Sequence, residues 1–140
     1  MIYQSDYPGK IKEFGCLVFS LIHVAEKMCG KVFRADHVVP MYKHMIKQGY
    51  ISEDCYVNNH AAVINEALSY MIEPDIRAKY VGADYLDKKY KTWGEHEGQY
   101  IILQTKTEKV PGHFICLDYN PYENGSRIIS IRSVRYYETC

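Results

Sequence analysis

The sequence predicts an α+β protein, with a helical first half and a strand-rich second half in one chain of 140 residues. Three observations predict it. Apolar residues recur at helical spacing as far as residue 71, and beyond Pro74 the pattern changes to short runs rich in β-branched and aromatic residues. No repeat, low-complexity tract or Pro/Gly/Ser-rich linker separates the halves. Helices and strands segregated along a chain build a sheet packed against a helical layer, not an alternating parallel sheet. The length suits a single domain over residues 1–140, because domains cluster at about 100–150 residues.

The first element is carried by "EFGCLVFSLIHVAEKMCG", residues 13–30. Leu17, Leu21, Ala25 and Met28 form one stripe, and Val18 and Ile22 widen it, which predicts a largely buried central helix closed by Gly30. A second helix is expected over residues 37–48, capped by Asp36, with Pro40 near its first turn and Gly49 at its end. Val38, Tyr42, Met45 and Ile46 make its apolar face. Asn58 or Asn59 caps a third helix, in which Ile64, Ala67, Leu68 and Met71 repeat at helical spacing before Pro74 stops it. Strands follow at "RAKYV" (77–81), "QYIILQT" (99–105), "HFICLDY" (113–119) and "RIISIRSV" (127–134). "NPYENG", residues 120–125, supplies turn geometry between the last two, so the second half reads as an antiparallel meander.

Lys plus Arg and Asp plus Glu both total 17, which leaves no cationic field to draw nucleic acid or anionic lipid. No apolar run approaches the roughly 18–20 residues of a membrane span, and residues 1–12 lack the pattern of a signal peptide. The expectation is a cytoplasmic protein without a membrane span. Five cysteines, at 16, 29, 55, 116 and 140, are an odd number without Cys-x-x-Cys spacing, which argues for free thiols over a disulfide framework or a structural zinc site. Fourteen tyrosines against four phenylalanines suit rings that pack while their hydroxyls stay wet, in a binding groove or on amphipathic sheet faces.

Cys16 stands at the predicted start of the central helix, where backbone N–H groups and the helix dipole favour a thiolate. Gly15 before it lets backbone or substrate approach closely. The same position equally suits a small buried hydrophobe. A cysteine nucleophile needs a base, most often histidine. His23 shares the central helix but lies too far along it to meet Cys16. His37, His44 and His60 fall near helix starts or on exposed faces, and His96 lies in the polar loop "WGEHEGQ". His113 follows Gly112, opens a strand and shares a face with Ile115 and Leu117. From a sheet–helix seam it could reach a thiol at the helix start, or it could be a satisfied histidine at a strand end. His113 and Cys116, three apart on a strand, face opposite sides and make no zinc pair.

"YQSDYPGKIKEFGCLVFSL" together with "GQYIILQTKTEKVPGHFICLDYNPYENGSRIISI" resembles the papain-like cysteine peptidases related to the bacteriocin-processing domains of peptide-exporting ABC transporters. Those proteins carry a glutamine upstream of a Gly-Cys that opens a helix, then a strand, then Gly-His-Phe or Gly-His-Trp opening the next strand, with a hairpin after it. The resemblance covers both ends of the chain and the order of elements between them. It implies a papain-like fold that hydrolyses a peptide or amide bond through an acyl-enzyme, with a peptide or protein substrate and no cofactor or metal. In that reading Cys16 is the nucleophile, His113 the general base and acid, and Gln4 the oxyanion-hole donor. One such donor is typically worth about 3–4 kcal/mol. The family's histidine-orienting Asp or Asn has no carboxylate counterpart in "IISIRSV". Ser133 falls closest to its place, while Asp118 and Asn120 lie on or just beyond the histidine's own strand. Two readings follow: an active thiol hydrolase, or a catalytically weak or inactive relative that binds peptide. Amide hydrolysis on cell-wall peptides would use similar machinery but requires export.

Overall fold

Where the spacing predicts one helix from about residue 14, a computed structural model holds two, α1 (Gly9–Phe14) and α2 (Cys16–Cys29). It describes residues 7, 9–73, 75–89, 98–108, 112–116, 122–123 and 126–140. They form two compact units, Met1–Lys79 with Thr139–Cys140, and Tyr80–Glu138.

In the helical unit, Gly15 separates α1 from α2. Its N–H donates to the Ile11 carbonyl at 3.0 Å and its carbonyl accepts from Phe19 N–H at 2.9 Å, so it belongs to the bonding of both helices. α2 buries Val18, Phe19, Leu21, Ile22, Val24 and Ala25, apolar on nearly every side, which makes it an interior helix. It packs against α4 (His60–Tyr70) through that helix's Val63, Ile64, Ala67 and Leu68 side. Gly30 closes α2 in the left-handed conformation, φ 69°, with its N–H on the Glu26 carbonyl at 2.8 Å. The Glu26 carboxylate bonds His23 Nδ1 at 2.7 Å and accepts from Phe33 N–H at 2.8 Å. Burial, the largest influence, favours its neutral form, but these bonds outweigh it and hold its pKa below the ordinary carboxylate value.

α3 (Val38–Gln48) follows a single 3-10 turn at Ala35–His37 and buries Val38, Met41, Tyr42 and Met45. Its expected cap is corrected. His37 holds the cap position without a side-chain bond, while the Asp36 carboxylate is taken by the Arg34 guanidinium at 3.1 and 2.9 Å. Gly49 ends the helix at φ 78°. Of the two candidate caps for α4, Asn59 serves, accepting from Ala62 N–H at 3.0 Å, and Asn58 Nδ2 donates instead to the Gly49 carbonyl at 3.2 Å.

The sheet unit contains β2 (Gln99–Thr107), β3 (His113–Cys116), β4 (Tyr122–Glu123) and β5 (Ser126–Thr139), with β1 (Ala78–Lys89) running into it from the helical unit. The order is β1-β5-β2-β3, with β4 paired to β5. The expected meander is thus corrected: the last strand lies between the first and the second. Neighbours in sequence pair in only about two-thirds of cases, and β5 is long enough to serve both β1 and β2. β2 pairs antiparallel with both β3 and β5, and its register against β5 shifts after Gln104 and after Lys106. Within "NPYENG", Tyr122 and Glu123 pair with Arg127 and Ser126, and the other four residues lie outside the described ones. Ile101, Leu103, Ile128, Ile131 and Val134 form the core of one sheet face, with Ile115 and Tyr136 against it. The α+β class therefore holds. Among the described residues no helix is long and apolar enough to cross a membrane.

The cap geometry predicts that Asn59→Ala lowers stability by about 1 kcal/mol whereas Asn59→Gly costs only a few tenths, measured by denaturant unfolding.

Candidate functional site around Cys16

Cys16 is the first residue of the 14-residue α2, as the sequence predicts, and its side chain is half-buried. Gly15 before it is required by close approach. A Cβ built there would collide with the Ile11 carbonyl oxygen and stand 2.8 Å from the Tyr42 hydroxyl. Backbone on one side and a phenol on the other occupy the space that any side chain would need.

That phenol is the unexpected member of the site. Tyr42 comes from the buried face of α3, is 3% exposed, and stacks its ring 6.5 Å from that of Phe19, which lies 5.5 Å from the ring of Tyr7. Its hydroxyl has no hydrogen-bond partner among the described residues. Leaving such a group unmet costs about 1–3 kcal/mol, so the position is maintained against a penalty. Burial, then the thiols of Cys55 and Cys16, push its pKa far above the ordinary phenol value, so it stands as a neutral O–H donor.

Cys55 completes the cluster from the loop between α3 and α4. It is buried, its backbone lies at φ 64°, and its thiol donates to the Lys10 carbonyl at 3.7 Å. Burial raises its pKa; Asp54 and Cys16 add to the rise, while the Tyr42 phenol and Lys10 oppose it. The Cys55 thiol and the Tyr42 phenol lie close enough for a weak attraction between them to act on both, but the pair falls short of hydrogen-bond geometry, and the phenol stays unmet among the described residues. The loop is tied to α1 by Lys10 Nζ on Asp54 at 2.6 Å.

His113 belongs to the sheet unit and opens β3. Its register partner is Thr105, whose buried hydroxyl donates to the His113 carbonyl at 3.1 Å. Cross-strand partners share a face, so His113 lies with Thr105, Leu103 and Ile115 on the core side, as its alternation predicts for Ile115. Cys116 pairs with Ile102 on the other side. Ser133 also lies on that other side: it is fully buried, pairs with Gln104, donates to Gln104 Oε1 at 3.0 Å and accepts from Arg135 Nη1 at 2.5 Å. The Arg135 guanidinium stacks 4.7 Å over the Phe114 ring. The register therefore turns Ser133 away from His113 and commits its hydroxyl to another network. Gln4, Asp118 and Asn120 lie outside the described residues.

The other histidines within the described residues have structural settings. His23 bonds Glu26, His44 bonds Glu66, His37 packs on the rings of Tyr70 and Phe33, and His60 is the first residue of α4. Tyr42 and Cys55 were the residues that sequence reasoning did not place at the site. Helical spacing puts Tyr42 on a buried face, but carries no signal for an oxygen left without a partner.

Residues 2–129 match the family described as "Protein of unknown function, DUF261", and the chain belongs to that family. No curated protein and no solved structure matches it.

The contacts at Gly15 predict that Gly15→Ala destabilises the protein by about 1–3 kcal/mol through overpacking. Tyr42→Phe, which removes one of the two clashing oxygens, is expected to recover part of that loss in the double variant but not all of it, because the Ile11 carbonyl remains. Thermal melts of the four proteins measure the coupling.

Proposed function

We propose that the protein is a papain-like thiol hydrolase of peptide or amide bonds. The observation that carries this reading is the position of Cys16, half-buried at the first residue of a long interior helix, beside a side-chain-free Gly15 and an unmet phenol donor. A thiol so placed is set where the helix dipole favours its anion. In the proposed cycle His113 takes the proton from Cys16, the thiolate attacks the carbonyl carbon, and the oxyanion accepts from the Cys16 N–H and from Gln4. His113 then returns the proton to the leaving amine, and water releases the acyl group from sulfur. The substrate is a peptide or protein segment.

A second reading is favoured by one observation. Ser133, nearest to the family's histidine-orienting place, is committed to Gln104 and Arg135 on the opposite sheet face from His113. Unless Asp118 or Asn120, outside the described residues, orients His113, the chain would bind peptide with the same residues without turning it over.

Alkylation with iodoacetamide across pH, with the labelled cysteine mapped by mass spectrometry, separates the two. The hydrolase reading expects Cys16 to label selectively well below about pH 8, and this selectivity to vanish in His113→Ala. Slow labelling of Cys16 at the rate of exposed Cys140, unchanged in His113→Ala, would instead favour the peptide-binding module.

A further inference from the structure

The Tyr42 hydroxyl is the feature at α2's start that no structural role absorbs. It is buried, it makes no hydrogen bond among the described residues, and it reaches the helix start only because Gly15 has no side chain. Deep burial keeps it a neutral donor over the whole physiological range, with the nearby thiols adding to the effect. What it lacks among the described residues is an acceptor. Gly15, whose missing side chain leaves room for this phenol, is followed directly by Cys16, the first residue of α2. A protonated thiol is a weak acceptor, whereas a thiolate takes a charge-assisted hydrogen bond roughly twice as strong as a neutral one.

We propose that Tyr42 is a positioning residue for the nucleophile, its hydroxyl kept open so that it donates to the Cys16 sulfur when that sulfur is a thiolate. The inference rests on the reading of Cys16 as the reactive thiol and adds a residue that the family resemblance does not supply. The step moves one proton from Cys16 to the general base and breaks no other bond. The phenol keeps its own proton and only redirects it toward the new anion. Other titratable groups that face the cluster are the Cys55 thiol, the Lys10–Asp54 pair and Glu53 beside Lys10. Of these, Cys55 competes for the same hydroxyl.

The test is Tyr42→Phe in the full chain, which deletes one oxygen and keeps the ring. The pH midpoint for alkylation of Cys16 is expected to rise by about one unit, a tenfold loss of labelling at a fixed pH below the midpoint. The melting temperature is expected to stay level or rise, because an unsatisfied buried oxygen has been removed. An unmoved midpoint overturns the proposal. So does a variant that melts well below the parent or fails to fold, because the hydroxyl would then be holding the structure. The same pair is compared in a Cys55→Ala background, where the shift must persist; its disappearance there assigns the hydroxyl to Cys55 and also overturns the proposal. Alkylation requires no substrate, so the two ideas fail separately. A moved midpoint in a protein that cleaves no peptide retires the hydrolase and leaves Tyr42 in place, whereas peptide cleavage with an unmoved midpoint does the reverse.

Discussion

The helical unit depends on a space one carbon wide. At Gly15 the Ile11 carbonyl and the Tyr42 phenol both lie closer than any side chain allows, and the residue bonds into α1 through its N–H and into α2 through its carbonyl. Three helices thus converge on a position without a Cβ. The break between α1 and α2 is what makes Cys16 the first residue of a helix. Were residues 9–29 one uninterrupted helix, Cys16 would sit mid-run, its N–H spent on the preceding turn, and the dipole would do little for its sulfur.

The sheet unit divides its labour between two faces. On one, Leu103, Ile131 and Val134 pack as a core, and His113 belongs to that side through its register with Thr105. On the other, Gln104, Ser133 and Arg135 form a chain of polar contacts, with the guanidinium resting on Phe114. Buried polar groups of this kind are tolerable when each finds a partner, and Ser133 finds two. The contrast with Tyr42, comparably buried and without a partner among the described residues, is what singles the phenol out.

Much of the fold was legible in the sequence because α2, α3 and α4 each carry several turns of apolar spacing and end at a glycine or near a proline. α1 escaped because six residues hold too little periodicity to read. The Asp36 cap failed because Arg34, two residues earlier, offered the carboxylate a full charge in place of backbone N–H groups. Strand positions were readable but strand order was not, since pairing of β5 with β1 and β2 is a nonlocal choice that local pattern does not encode. At the site, the Gly-Cys pair was visible as a motif. Which face Ser133 occupies depended on a register that shifts twice along β2, and this left no trace in the spacing of "IISIRSV".

The placement of β5 also governs the order in which the molecule can assemble. α2, α3 and α4 use residues close together in the chain, and local contacts form quickly. The middle of the sheet is vacant until the last strand arrives, because β1 and β2 meet only through it. On the ribosome, β1 emerges with an open edge and waits roughly forty residues for its neighbour, at about 5–20 residues per second. Unpaired edges are the part of a nascent chain most prone to stick to others, and that of β1 stays unpaired until β5 inserts.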